Sequence, residues 1–281
     1  ILPSAIADKY RLVTLSGDIF YDNGVRFFTT ISRHINFRTV EHINDAKLDT
    51  LVASLKSIQG VYMARGFQID VLHMDGQFEP LRLRTAAMGM HLNVTSNEEH
   101  VPEIERSIQT TKERVRSVYA TLPFKRLPLR FLIELVAGCI LWLNAFALRG
   151  GVSPTMSPQT IITGIELDFN QHCQLQCGKY AQTHESHDNT MVHRTVGAIG
   201  LRPTGKAQGG YYYLSLKTGR HLNQAHCTPL PMPNEVIECI HQQAQQAPGG
   251  LTFGDRDNNK VASYHIENNT DDNNSNYAPN D

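Results

Sequence analysis

Leu12-Val13-Thr14-Leu15-Ser16-Gly17-Asp18 is an apolar run that stops on a carboxylate, and Ile69-Asp70-Val71-Leu72-His73-Met74-Asp75 repeats the pattern. Each has the length and Val/Ile/Leu content of a buried strand. A third acid, Glu105, stands in the first turns of a basic helix that opens Val101-Pro102-Glu103-Ile104-Glu105-Arg106. Two acids at strand ends and one on a helix can converge on a pair of Mg²⁺ ions, which take oxygen ligands and keep several waters. Such a pair, with the ions about 4 Å apart, holds the attacking and leaving oxygens of a phosphodiester.

The flanking residues extend these runs into an order of elements. Residues 11–20, 25–32 and 36–40 are rich in Val, Ile, Phe and Thr and read as three successive strands, with Asp22-Asn23-Gly24 as the turn between the first two. Between Asp45 and Arg65, Leu48, Leu51, Val52, Leu55 and Ile58 recur at helical spacing, and Gly66 ends the pattern. Gln68 to His73 is the next strand, Pro80 to Met88 a short helix, and His91 to Thr95 a further strand. After the polar stretch Ser96 to His100, Pro102 opens a helix that buries Ile104, Ile108, Val115 and Val118. A second helix spans Pro128 to Phe146. The order is βββαβαβαα, with right-handed crossovers expected between parallel neighbours.

Beyond Gly150, Pro154 and Pro158 mark a connector. Short Val/Ile/Tyr/Leu runs between about 172 and 230, broken by Pro203-Thr204-Gly205, Gly209-Gly210 and Thr218-Gly219, suit a small β-barrel. Residues 234–246 fit one helix. Eight Asn between 258 and 280, with little apolar content, read as a disordered tail. The resulting division is a leader at 1–10, an α/β core at 11–148, a linker at 149–171, a barrel at 172–232, a helix at 233–247 and a disordered acidic tail at 248–281.

Composition limits the partners. The 281 residues hold one large domain or two ordinary ones, and 41% hydrophobic content suffices for a packed core. Net charge is −1, so a nucleic-acid surface has to come from local patterning. Residues 101–130 supply it, with seven Lys/Arg against three Glu. Five cysteines, odd in number and unevenly spread, argue for a reducing compartment. The chain begins at Ile1, and it reads as an internal piece of a longer polypeptide. Leu135 to Leu148 is the most apolar stretch, but it is too short for the roughly 20 residues of a membrane span and contains Asn144. It reads as a buried helix.

The element order, Asp18, Asp75 in Met74-Asp-Gly-Gln-Phe-Glu, and Glu105-Arg106 resemble the integrase core of copia-type retrotransposon Gag-Pol polyproteins. Arg194-Thr-Val-Gly-Ala-Ile-Gly-Leu-Arg-Pro-Thr-Gly and Gly209-Gly-Tyr-Tyr-Tyr-Leu-Ser-Leu-Lys-Thr-Gly-Arg look like the SH3-like domain that follows it. The resemblance spans roughly residues 11–240. It implies an RNase H-like fold, DNA end processing and strand transfer with two Mg²⁺ or Mn²⁺ ions, and Asp18, Asp75 and Glu105 as catalytic metal ligands. It also implies a homo-oligomer acting on element ends and a target duplex, in a cytoplasmic particle and then the nucleus. The interval between Asp75 and Glu105 is shorter than is usual in that family.

Each assignment has a plainer competitor. Asp22 competes with Asp18, a simple Asp-Gly turn with Asp75, and Glu103, Glu98 or Glu99 with Glu105. Glu105, Gln109, Lys112 and Arg116 share one helical face, with Arg106 beside it and Lys125-Arg126 beyond, and together they form a candidate DNA-binding surface. An ordinary solvated face is the alternative. His172-Cys173, Cys177, His184, His187 and His193 invite zinc, but no second Cys pair follows, and no zinc is expected. The competing functions are an RNase H-type nuclease without strand transfer and a catalytically dead nucleic-acid-binding remnant.

Overall fold

In the computed structural model, residues 2–95, 101–184, 191, 193–246, 250–254 and 260–265 are described. Glu98, Glu99, His187 and most of the expected tail lie outside them. The elements are α1 (Ser4–Tyr10), β1 (Leu12–Asp22), β2 (Val25–Ser32), β3 (Arg38–His42), α2 (Leu48–Met63), β4 (Gln68–Met74), a 3₁₀ turn (Gly76–Leu81), α3 (Arg82–Ala87), β5 (His91–Val94), α4 (Pro102–Tyr119) and α5 (Leu129–Asn144). There follow α6 (Pro158–Thr163), α7 (Phe169–His172), β6 (Tyr180–His184), β7 (Thr195–Pro203), β8 (Tyr211–Ser215), β9 (His221–Gln224), β10 (Cys227–Pro229), α8 (Asn234–Gln246), β11 (Gly250–Gly254) and β12 (Lys260–His265).

The first five strands form one mixed sheet in the order β3-β2-β1-β4-β5. β1, β2 and β3 are antiparallel neighbours, while β4 and β5 run parallel to β1. Because side chains alternate along a strand, β1 feeds two cores. Val13 and Leu15 enter one, packed with Leu51, Leu55, Ile58 and Tyr62 of α2. Phe20 enters the other, with Val115 of α4 and Phe131, Leu135 and Val136 of α5. Gly17 lies where β1 and β4 press together: a Cβ there would stand 2.8 Å from Met74 Cε. Asn144 ends α5 by gripping the edge strand, accepting from Arg38 N at 2.9 Å and donating to Arg38 O at 2.7 Å. That double bond to main chain explains an amide buried in the most apolar helix.

The segments flanking the first sheet carry structure beyond their sequence reading. The 1–10 leader is a helix whose Leu2, Ile6 and Tyr10 pack on the first core. The 149–171 linker contains α6, whose Ile161 and Ile162 are buried in that same core. Within the 248–281 segment, the described residues 250–254 and 260–265 pair as antiparallel strands. Strands β6 to β10 form an antiparallel sheet in the order β10-β6-β7-β8-β9, and among the described residues β9 and β10 do not pair to close a barrel.

This second sheet is not a separate body. Ile199, Leu201 and Leu214 share the core of α4 and α5, together with Val236 and Ile240 of α8. A buried carboxylate, Glu134 of α5, joins the two parts: Arg202 Nε donates to it at 2.7 Å. His221 Nε2 lies 3.3 Å from its other oxygen, yet off-line, so the pair is a contact without a hydrogen bond. Burial holds His221 below the usual histidine range, helped by Arg130 and Arg202 and opposed by Glu134. Gly138 lets Arg202 approach, for a Cβ there would meet Arg202 Cβ at 3.3 Å. No helix among the described residues is long and apolar enough to cross a membrane.

Candidate active site

The strand register brings two of the three acids together. β1 pairs with β4 in parallel from Leu15 with Leu72 to Ser16 with His73. Carried two residues on, that ladder sets Asp18 beside Asp75, at the end of β4, where neighbouring strands lie about 4.8 Å apart. Asp75 begins the 3₁₀ turn with an extended backbone, and its side chain caps none of the turn's N–H groups. Its carboxylate is approached instead by the Thr95 hydroxyl at 3.5 Å.

Asp18 records the company it keeps. Burial, then the fields of Asp75 and Glu105, push its pKa from 3.8 up to about 6, although hydrogen bonds from Ile19 N and Gln77 Nε2 pull the other way. Those bonds reach the same oxygen, Oδ1, at 2.7 and 3.3 Å. The fields of Asp75 and Glu105 thus both reach Asp18.

The competitors separate cleanly. Glu103 accepts from Arg33 Nε at 3.0 Å and from Ser16 Oγ at 3.4 Å, so it ties α4 to β1 and to the end of β2. Asp22 is raised by burial but faces Lys112 and Arg116, not other acids. Asp75 heads a Gly-containing turn, as its plainer reading required, while still standing next to Asp18.

Asp18, Glu105, Gln109, Lys112 and Arg116 line one groove of about 500 Å³ between β1 and α4. Lys112 lies over Phe20, 5.8 Å from the ring centroid. Gln109 Nε2 donates to Glu113 at 3.1 Å. Lys125 and Arg126 are not in this groove. They line an adjoining cavity of about 460 Å³ that meets it at Arg116. Arg106 is exposed and lines neither.

Among the described residues, no three His, Cys, Asp or Glu side chains are arranged to hold a metal ion as they stand. The fit to a hard divalent cation lies in donor chemistry and charge. Carboxylate oxygens suit Mg²⁺ or Mn²⁺, and Asp18, whose pKa is raised to about 6 by burial first and by its acidic neighbours second, has no cation among the groups that shift it. The side chains would have to close on the ion. Two of the zinc candidates are committed elsewhere: His172 Nε2 donates to Lys206 O at 2.9 Å while Nδ1 accepts from Asp168 N at 3.0 Å. Cys177 is packed on the second core, and burial pushes its thiol up to about 12.

Gln77 and Thr95 escaped the sequence reading. Gln77 lies in the quoted run after Asp75, but nothing in its spacing marks it as a partner of Asp18, because the turn between them is set by the fold.

No protein-family model matches the chain. No curated protein matches it either. Among solved structures with a similar backbone is the catalytic core domain of BIV integrase, at a TM-score of 0.41 and 12% identity, covering 54% of this chain and 93% of that one. The residue assignments rest on the strand register and electrostatics above.

Proposed function

We propose that this chain is an integrase-type polynucleotidyl transferase with an RNase H-like core, of the kind carried by copia-type retrotransposon polyproteins. The observation that carries the reading is Asp18, lifted to about pH 6 in part by Asp75 and Glu105. Carboxylates far apart in sequence that lie near one another, where β1 meets the end of β4, cost stability unless a cation uses them.

Asp18, Asp75 and Glu105 would hold Mg²⁺ or Mn²⁺, which when bound activates a water or a DNA 3′-hydroxyl and stabilises the leaving oxygen. Gln77 orients Asp18 by its bond to Oδ1. Lys112 and Arg116 on the groove wall, with Lys125 and Arg126 beyond, bind successive phosphates and set the strand over the acids. Joining two element ends to one target duplex calls for more than one copy, so the working form is a homo-oligomer, assembled in a cytoplasmic particle and acting in the nucleus.

The test is Mg²⁺-dependent nicking of a labelled DNA end and its transfer into a second duplex, with Asp75→Asn as control. Equal activity in both proteins removes the site assignment. Nicking without transfer makes the chain a nuclease, and inactivity of both makes it a binding remnant.

A further inference from the structure

On the opposite side of the acids from the basic groove, α1 and the β2–β3 turn enclose a second cleft of about 450 Å³. Its walls carry Lys9, Tyr10, Thr14, Arg33 and His34, and its lining includes no carboxylate. We infer that this cleft receives an unpaired nucleobase of the strand whose phosphate lies over Asp18, Asp75 and Glu105. The inference rests on the strand-cutting reading and adds a substrate position to it.

The contents suit a base and little else. The Tyr10 and His34 rings stand 5.9 Å apart and tilted by 49°, and Lys9 Nζ is 5.3 Å from the Tyr10 centroid. Aromatic faces with adjacent cations are what single strands stack on, because every base has a π-face and every linkage a negative charge. The turn that presents His34 is held in an unusual conformation. His34 and Asn36 both have left-handed backbones, φ 67° and 60°, where a non-glycine residue is disfavoured. Asn36 Nδ2 secures it by donating to His34 O at 2.9 Å.

Position links the cleft to the acids. Thr14, Ser16 and Asp18 alternate onto one face of β1: Thr14 lines the cleft, Ser16 meets Glu103, and Asp18 lies in the groove. Arg33 joins the two places, lining the cleft while holding Glu103 at 3.0 Å. Four residues of strand cover about 13 Å. That is roughly two to four nucleotides, depending on how far the strand is unstacked from its ~3.4 Å rise.

The experiment places 5-iodouracil at each of the first six positions beside the cut, in DNA with a frayed end, and maps photocrosslinks by mass spectrometry. Crosslinks to Tyr10 or His34 are expected from the second to fourth positions. His34→Gly, which keeps the left-handed turn, and Tyr10→Ala should each weaken binding of that end roughly five- to tenfold. Full-length duplex binding should be little changed. Bound and nicked DNA that crosslinks elsewhere, or variants of undiminished affinity, overturn the cleft and leave the cutting reading intact. A chain that neither binds nor nicks DNA overturns both.

Discussion

Asp18 stands beside Asp75 across the β1–β4 ladder, two residues beyond the pairing of Ser16 with His73. Between them, Met74 Cε fills the space beside Gly17, 2.8 Å from where a Cβ would stand. Burial of Asp18, and after it the fields of Asp75 and Glu105, disfavour its charged form, and that cost is stored in the folded chain.

That storage gives a stability test. Folded Asp18 binds its proton up to about pH 6, against 3.8 ordinarily, so its favourable contribution is complete below pH 4 and is lost as pH climbs through 6. The loss is on the order of 3 kcal/mol. Asp18→Asn keeps the shape without the charge, and should therefore raise the melting temperature by several degrees at pH 8 and by nothing at pH 3.5. Thermal unfolding at the two pH values checks this. An unchanged or lowered melting temperature at pH 8 rejects that stored cost at Asp18. In the wild-type chain, Mg²⁺ should restore much of the stability lost above pH 6.

The two glutamates of the first turns of α4 should behave oppositely. Glu105 acts on Asp18, whereas Glu103 is occupied by Arg33 and Ser16. Glu105→Gln should reduce Mg²⁺-dependent nicking by at least about a hundredfold, the scale of a lost transition-state charge contact. Glu103→Gln should cost only a few-fold, with under about 1 kcal/mol of stability, since its ion pair is half exposed. Nicking rates of the two variants at saturating Mg²⁺ decide between them; the reverse ranking would move the third acid to Glu103.

The five-stranded sheet and the charged face of α4 were legible in sequence because each depends on local pattern: apolar runs ending in acids, and a helix with charge on one face. What failed depended on partners distant in the chain. The segment taken as a linker had a helix signature, Ser157-Pro158 at the start and Gly164 at the end, and Ser157 Oγ does accept from Thr160 N at 3.1 Å. Six residues are too few to show a period, so the two prolines dominated the reading. The five strands expected as a separate barrel instead share a core with the first half, where Ile199, Leu201 and Leu214 are buried with residues of α5 and α8. Nothing in the spacing of 172–232 reports that second surface. Glu134 and Arg202, 68 residues apart, carry no local sign that they meet in the core.

That buried pair predicts cooperative unfolding. Removing one partner of a desolvated ion pair typically costs about 3–5 kcal/mol, because the other is left uncompensated. Glu134→Ala should lose that much in urea denaturation, and Arg202→Ala should too, with Tyr212 losing the guanidinium 4.7 Å above its ring. Wild type should unfold in a single transition by fluorescence and circular dichroism, as a shared core demands. Two separated transitions would mean that the sheets are independent domains.

Salt dependence tests the groove itself. Each phosphate neutralised on duplex DNA contributes about −0.9 to the slope of log affinity against log salt. Lys112 and Arg116 line the same groove as Asp18 and Glu105, so both should lie against backbone phosphates near the cut. Replacing either with Ala should flatten the slope by about one and weaken binding at low salt, by a similar factor for every DNA sequence. Arg106 is exposed but lines neither groove nor adjoining cavity, so Arg106→Ala should leave the slope close to wild type. Fluorescence anisotropy titrations across a series of salt concentrations distinguish these outcomes. If Arg106→Ala flattened the slope and Lys112→Ala did not, DNA would have to cross a different side of α4, away from the carboxylates, and cutting could not occur where Asp18 and Asp75 meet.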